Sequence, residues 1–98
     1  MKLTIIVPCY NEKKTINTLV TKLKKLKFNK QIILVDDCSN DGTRELIENH
    51  IKYKVDKVIF HKKNIGKGGA IISAKKFVKG EYVVIQAADL EYDPRDLI

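Results

Sequence analysis

Four short apolar segments alternate along the chain with stretches whose hydrophobic residues recur at helical spacing. The apolar segments cover residues 3–7, 31–35, 55–60 and 82–85, and each contains Val or Ile, as expected of strands buried on both faces. The stretches between them repeat apolar residues every three or four positions, as in Ile16, Leu19, Val20 and Leu23, which predicts amphipathic helices. Strands joined through helices predict an α/β fold with a Rossmann-like, mainly parallel sheet flanked by helices.

The helices are predicted over residues 13–27, from a capping turn at 38–43 through Ile51, and from Gly66 to a stop at Gly80. The 98 residues fit a single domain. Because the sequence stops soon after Asp93 and Pro94 open another helix, we expect residues 1–98 to be a domain truncated at its C-terminus. An uncovered sheet edge in such a domain would favour self-association.

Polar loops follow each of the four predicted strands. They carry Tyr10, Asn11 and Glu12 after the first strand, Asp36 and Asp37 after the second, residues 61–69 after the third, and Asp89 after the fourth. Ligands of open α/β sheets bind outside the carboxyl ends of the strands. The four loops therefore predict one cleft at that edge of the sheet.

Three carboxylates alternate after the last strand, at Asp89, Glu91 and Asp93. Carboxylate oxygens are the ligands that Mg²⁺ and Mn²⁺ prefer. Asp93 precedes Pro94, a pattern that starts helices, so we interpret Asp93 as a capping residue. Asp89 follows the buried strand directly and is the predicted functional carboxylate.

The glycine-rich loop Gly66-Lys67-Gly68-Gly69 opens the third helix. It lacks the spacing of a phosphate-binding P-loop, and Ile71 occupies the third glycine position of a dinucleotide fingerprint. Two interpretations remain open. Its backbone amides could face an anion with Lys67 as a nearby charge, or it could be a tight turn that packs closely on the sheet.

The chain carries a formal net charge of +7, from 19 basic and 12 acidic residues, and only Arg44 and Arg95 are arginines. Nucleic-acid readers use clustered arginines and aromatic platforms, so we expect no nucleic-acid partner. The lysines are predicted to form solvated helix faces or, alternatively, a surface toward anionic lipid headgroups. No run of membrane-spanning length and no leader pattern is present, which favours a cytoplasmic protein, in the second case peripheral to a membrane.

The cysteines and histidines show no metal-ligand spacing. Cys9 and Cys38 are predicted to be reduced, half-buried thiols, because no secretory leader precedes them. His50 and His61 are predicted to lie on the surface.

Four ordered motifs together resemble the inverting nucleotide-sugar glycosyltransferases of family two, which have the GT-A fold. The motifs are Ile5-Ile6-Val7-Pro8-Cys9-Tyr10-Asn11-Glu12, Val35-Asp36-Asp37-Cys38-Ser39-Asn40-Asp41-Gly42-Thr43, Asn64-Ile65-Gly66-Lys67-Gly68-Gly69-Ala70 and Asp89-Leu90-Glu91-Tyr92-Asp93-Pro94. The most similar branch is that of the polyprenyl-phosphate sugar synthases, such as dolichol-phosphate mannose synthase. The resemblance covers nearly the whole chain, which corresponds to the N-terminal, nucleotide-binding half of the fold.

The resemblance implies a site for a nucleotide-diphosphate sugar. Its residues would be Pro8, Tyr10, Glu12, Val35 and Asp37 around the base, with Lys67, Ala87, Ala88 and Asp89 completing the donor site. The Asp37 carboxylate would accept a hydrogen bond from the base, while Asp36 would brace the following loop. Asp89, with Glu91, would hold Mg²⁺ or Mn²⁺ and act in catalysis, and the acceptor would be a polyprenyl phosphate. The acceptor half would follow this region, so residues 1–98 alone are expected to be inactive.

The sequence departs from the family at one position. The aspartate-any-aspartate metal motif falls on Ala87, Ala88 and Asp89, so its first aspartate is replaced by alanine. The replacement fits a natural variant, a degenerate copy or a deliberately disabled form. It also favours a second class of function, a non-catalytic nucleotide-binding module. A nicotinamide-dependent oxidoreductase is a third class, disfavoured by the position of the glycines.

Overall fold

The computed structural model describes residues 2–88, which form a four-stranded parallel sheet with helices on both faces. The strands are β1 (Leu3–Cys9), β2 (Lys30–Asp36), β3 (Lys57–Phe60) and β4 (Tyr82–Ile85), and the helices are α1 (Ile16–Lys24), α2 (Thr43–Leu46) and α3 (Gly66–Lys75). The strand order is β3-β2-β1-β4, so β1 and β2 occupy the centre. The predicted α/β class is therefore confirmed.

Two apolar layers cover the two faces of the sheet because successive side chains of a strand point to opposite faces. Ile5 and Val7 of β1 face a larger cluster that includes α1, whereas Ile6 faces a smaller cluster formed with Ala70 and Ala74 of α3. The small alanines allow α3 to lie close to the sheet. This close packing brings the start of α3 to the carboxyl end of β2.

Helices α1 and α2 differ from the sequence expectation in extent or type, and α3 differs at its C-terminal end. Helix α1 spans nine residues rather than the predicted residues 13–27. Helix α2 is a single turn, followed by a π-helical segment, Ile47–Ile51, and a 3₁₀ turn, Lys52–Lys54, so β3 begins two residues later than predicted. Ile47 and Ile51 are nevertheless fully buried. The apolar spacing therefore correctly predicted a helical segment through Ile51, although it did not identify the type of helical turn.

Strand β1 continues through Pro8 to Cys9, past the predicted end at Val7. Proline has no backbone N–H, so it is excluded from strand positions whose N–H must donate to a neighbouring strand. The Ile6 carbonyl accepts the Gln86 N–H at 2.9 Å, and the Cys9 carbonyl accepts the Asp37 N–H at 2.8 Å. The backbone groups of residues two apart in a strand point to the same neighbouring strand. Pro8, two residues after Ile6, therefore faces the β4 side, where the pairing of β4 with β1 has stopped at Ile85. The missing donor therefore lies at the point where the two strands separate.

Gly80 does not stop α3, which ends at Lys75. It instead allows the chain entering β4 to pass directly over β1. The Gly80 N–H donates to the Thr4 hydroxyl at 2.9 Å, and that hydroxyl donates to Oε1 of Gln31 at 2.8 Å. Gln31 also accepts the Lys79 N–H and donates to the Phe77 carbonyl. These bonds satisfy the polar atoms of two buried side chains within otherwise apolar strands.

Gly80→Ala should destabilise the chain by about 1–3 kcal/mol, the range for overpacking a filled site. A Cβ at this position would lie 2.5 Å from the Thr4 hydroxyl and 2.7 Å from the Thr4 backbone nitrogen. Gly68→Ala is the matched control, because a Cβ there meets nothing within 4 Å and alanine favours a helix by about 0.5–1 kcal/mol. Urea unfolding of both variants measures the difference. Equal midpoints would contradict the close approach at Gly80.

Candidate functional site

A cavity of about 170 Å³ opens at the carboxyl ends of the central strands. It lies where β4 separates from β1 and where α3 begins. Its lining residues are Pro8, Cys9, Tyr10, Glu12, Asp37, Gly66, Lys67, Ala70, Ala87 and Ala88. The loops that follow β1, β2 and β4, together with the start of α3, therefore contribute to one site, as the positions of the polar loops in the sequence predicted.

Seven of the predicted donor-site residues line this cavity, whereas Val35, which is also described, does not. Val35 is 0% exposed and packs in the apolar cluster beneath α3 rather than in the cavity lining. Asp89 and Glu91, the predicted metal ligands, lie outside the described residues. Ala87 and Ala88 are described, and both line the cavity immediately before Asp89.

The Asp37 carboxylate is the buried charge of the cavity wall, and its residue is 5% exposed. Its Oδ1 accepts hydrogen bonds from the Ile65 N–H at 2.9 Å and from Nδ1 of His61 at 2.8 Å. Its Oδ2 accepts the Gly66 N–H at 2.8 Å. Burial by itself raises the pKa of Asp37, but the bonds from Ile65, His61 and Gly66 outweigh it and hold the pKa below its ordinary value.

The glycine-rich loop faces an anion that belongs to the protein itself. The two amides at the start of α3, those of Ile65 and Gly66, are occupied by Asp37. Gly66 adopts a φ of +85°, a conformation that glycine reaches without the steric cost of a Cβ. Lys67 follows on the cavity rim with an exposed side chain. The loop thus attaches α3 to the end of β2 and presents one cation to the cavity.

The prediction that His61 lies on the surface is wrong, because the residue is only 8% exposed. It follows β3 as Asp37 follows β2, and the two preceding residues, Phe60 and Asp36, are register partners. Adjacent strand ends therefore bring the two side chains together. Nε2 of His61 lies 2.7 Å from Oγ of Ser73, on α3. Sequence spacing gave no sign of this, because a histidine 24 residues from its carboxylate partner forms no local motif.

Two loops at this edge are joined by asparagine side chains. Asn11 donates through Nδ2 to Oδ1 of Asn40 at 3.0 Å, and its Oδ1 accepts the Asn40 N–H at 2.8 Å. Asn11 has a φ of +52°, which asparagine tolerates better than most residues. The predicted bracing role of Asp36 is confirmed, since its carboxylate accepts the N–H and the hydroxyl of Ser39. The loops after β1 and β2 are therefore held as one unit.

Thr15 joins the first loop to the last described residues. Its hydroxyl lies 2.6 Å from the Ala88 carbonyl and 3.0 Å from Oε2 of Glu12. The segment that leads to Asp89 is thereby held beside the loop after β1, although α1 itself starts only at the next residue, Ile16.

Both cysteines are free thiols, as predicted, but Cys9 is fully rather than half buried. Burial, followed by the charges of Asp36 and Glu12, raises the pKa of the Cys9 thiol to about 12. A thiol with this pKa is not a nucleophile near neutral pH, so its place in the cavity wall is a packing role.

Within residues 2–88, no group of three or more His, Cys, Asp or Glu side chains is arranged to hold a metal ion. In the same part of the chain, no helix combines the length and the apolar character needed to cross a membrane.

The fold matches those of solved glycosyltransferases. A mannosyltransferase of Pyrobaculum calidifontis, solved with GDP-Man and Mn²⁺, superimposes with a TM-score of 0.82 at 27% identity over 96% of this chain and 29% of its own. Residues 1–349 of TarS of Staphylococcus aureus, solved with UDP, superimpose with a TM-score of 0.78 at 34% identity over 91% of this chain and 28% of that fragment. The parallel sheet flanked by helices is therefore the N-terminal part of a GT-A fold.

Sequence comparison leads to the same family. Dolichol-phosphate mannosyltransferase of Pyrococcus furiosus is 35% identical over 97 residues, which cover 96% of this chain and 27% of that protein. The chain thus spans less than a third of the length of the curated relatives compared. The family model described as glycosyl transferase family 2 matches residues 4–98. The chain belongs to glycosyl transferase family 2.

Proposed function

We propose that this chain is the donor-binding part of a glycosyltransferase that moves a sugar from a nucleotide diphosphate to an acceptor with inversion. The observation that carries the proposal is the cavity in which an ionised Asp37, held by three donors, lies beside Tyr10 and Lys67. An aromatic ring, a buried acceptor and a rim cation match the base and phosphates of a nucleotide.

The relatives support a nucleotide-sugar donor. TarS has been solved with UDP-GlcNAc and the Pyrobaculum mannosyltransferase with GDP-Man. Asp37 would accept an N–H from the base through a free lone pair, since an ionised carboxylate offers about four acceptor positions and three are occupied here. Both uracil and guanine carry such an N–H, so the chain could take either nucleotide.

A polyprenyl phosphate is the proposed acceptor. Relatives named for undecaprenyl-phosphate and dolichol-phosphate transfer support it. A phosphate is already an anion, so its attack on the anomeric carbon needs no strong general base. The net charge of +7 on the chain would favour a position beside anionic lipids on the cytoplasmic face of a membrane.

A divalent cation, Mg²⁺ or Mn²⁺, is the proposed cofactor, and Asp89 with Glu91 would hold it. The alanines before Asp89 line the cavity, and carboxylate oxygens suit such ions. When bound, the ion would neutralise charge on the leaving diphosphate. Ala87 occupies the first position of the family's metal motif and supplies no ligand. We therefore expect weaker metal affinity than in relatives that carry both aspartates.

A non-catalytic nucleotide-binding module is the second candidate, and Ala87 is the observation that favours it. Calorimetry with UDP, GDP and NAD, each with and without Mn²⁺, tests both candidates. Binding of UDP or GDP that Mn²⁺ strengthens supports the transferase. Binding that Mn²⁺ leaves unchanged favours the module, and a preference for NAD would contradict both.

Asp37→Ala should weaken UDP or GDP binding by about 1–3 kcal/mol, the range for a hydrogen bond to a charged group. It should also lower stability, because it leaves the amides at the start of α3 without an acceptor. Asp41→Ala is the control. Asp41 accepts the Thr43 N–H at 3.0 Å and lies outside the cavity lining, so its loss should cost about 1 kcal/mol of stability, as for a helix cap, and leave binding unchanged.

The pH dependence of unfolding gives an independent check on these carboxylates. For Asp41 the hydrogen bond from the Thr43 hydroxyl is the main cause of a lowered pKa, and the pKa of Asp37 is lowered as well. The stability that each contributes is fully present above the ordinary value of 3.8 and is lost as the pH falls through the folded-state pKa. The difference in stability between the native chain and either variant should therefore shrink as the pH falls below 3.8. A constant difference would contradict the assignment.

Ala87→Asp should strengthen Mn²⁺-dependent nucleotide binding and leave metal-free binding level or weaker. Another carboxylate beside Asp89 repels a diphosphate unless a cation lies between them. In an Asp89→Asn background the gain should disappear, because both groups would serve one ion and their effects would not add. Titrating Mn²⁺ at fixed nucleotide in the four combinations measures this coupling. A neutral Ala87→Asp would mean that position 87 is not part of a metal motif.

A further inference from the structure

A chain of three hydrogen-bonded side chains, Asp37, His61 and Ser73, runs from the cavity wall into the space between the sheet and α3. Nδ1 of His61 lies 2.8 Å from Asp37, and Nε2 lies 2.7 Å from the Ser73 hydroxyl. The His61 backbone is fixed too, since its N–H donates to the Asp36 carbonyl at 2.9 Å. The position and orientation of the His61 imidazole are therefore set by three elements, β2, β3 and α3.

The order of these side chains resembles that of a serine-hydrolase triad, but the surroundings do not support hydrolysis. The cavity lining includes Asp37 and Ala70 but not Ser73, so the hydroxyl at the far end of the chain does not face it. The member that reaches the cavity is the carboxylate. Any effect of these hydrogen-bonded side chains on a ligand in the cavity is therefore transmitted through Asp37.

The contact with Asp37 requires a proton on Nδ1 of His61. An ionised carboxylate only accepts hydrogen bonds, so Nδ1 of His61 must donate to it. In the neutral ring Nε2 is then an acceptor, and the Ser73 hydroxyl can donate to it. This tautomer gives Oδ1 of Asp37 two donors, His61 and the Ile65 amide, while Oδ2 receives only the Gly66 amide. The free acceptor capacity therefore lies mainly on Oδ2.

We propose that His61 and Ser73 are positioning residues for base recognition: they keep Asp37 ionised and aimed, so that the cavity selects a base with a ring N–H. The inference rests on the proposed function. Uracil and guanine present a ring N–H, whereas the corresponding ring nitrogens of cytosine and adenine are acceptors and would face a carboxylate unfavourably. Without the imidazole donor, Asp37 could take up a proton and donate to those acceptors, and the selection would fall.

The test compares two amide variants of the same histidine. The amide of His61→Asn can occupy the position of Nδ1 and donate to Asp37, whereas the longer His61→Gln presents its amide near Nε2, toward Ser73. Isothermal titration with UDP, CDP, GDP and ADP measures selection as the affinity ratios UDP to CDP and GDP to ADP. His50→Gln, at an exposed histidine, is the matched control.

In the native chain we expect the affinity ratio UDP to CDP or the ratio GDP to ADP to be about tenfold or more, which is the effect of one charge-assisted hydrogen bond. His61→Asn and His50→Gln should keep that ratio, and His61→Gln should reduce it at least severalfold. Ser73→Ala should reduce it partly, because Nε2 loses the partner that holds the orientation of the ring. Equal ratios in His61→Gln and the native chain, or equal losses in the Asn and Gln variants, would overturn the inference.

A spectroscopic measurement separates this inference from the proposed function. Long-range ¹H–¹⁵N correlation spectra of the nucleotide-free chain show which ring nitrogen of His61 carries the proton. A proton on Nδ1 is expected, and a bare Nδ1 would overturn the positioning role. If the native chain bound none of the four nucleotides, the proposed function itself would fail; if it bound them selectively while the variants did not differ, only the role of His61 would fail.

Discussion

The arrangement of the site depends on one buried carboxylate. Asp37 stands one residue past β2 and accepts bonds from the start of α3 and from the histidine that follows β3. A carboxylate removed from water is unfavourable unless donors replace the lost hydration. The protein supplies a helix N-terminus, where amides and the helix dipole both favour an anion. The same bonds that make the charge tolerable also fix the position of α3 on the sheet.

The cavity itself follows from how strands end. β4 pairs with β1 only as far as Ile85, and Pro8 then lies on the side that has lost its partner. A proline at that position leaves no unsatisfied N–H facing the opening. The cavity is therefore lined by a backbone that needs no further partner there, and the small side chains of Ala87 and Ala88 also line it.

The loops around the cavity are held by side chains rather than by regular structure. Asn11 with Asn40, and Asp36 with Ser39, join the first two loops, while Thr15 holds the segment after β4. Every such bond replaces a contact with water and limits loop motion. A site for a flexible ligand gains affinity from this kind of preorganisation.

The sequence by itself determined the fold class, the inward-facing residues and the edge of the sheet at which the polar loops meet. These depend on local periodicity and on the rule that parallel strands share a carboxyl edge, both of which are written in residue order. The tertiary structure decided the partners across that edge: the burial of His61, its bonds to Asp37 and Ser73, and the place of Val35 in the core instead of in the cavity lining. It also decided that Gly80 serves a close approach to Thr4 rather than a helix end. The physical reason is that these contacts join residues far apart in sequence, so they exist only once strand register and helix packing have brought the side chains within hydrogen-bonding distance.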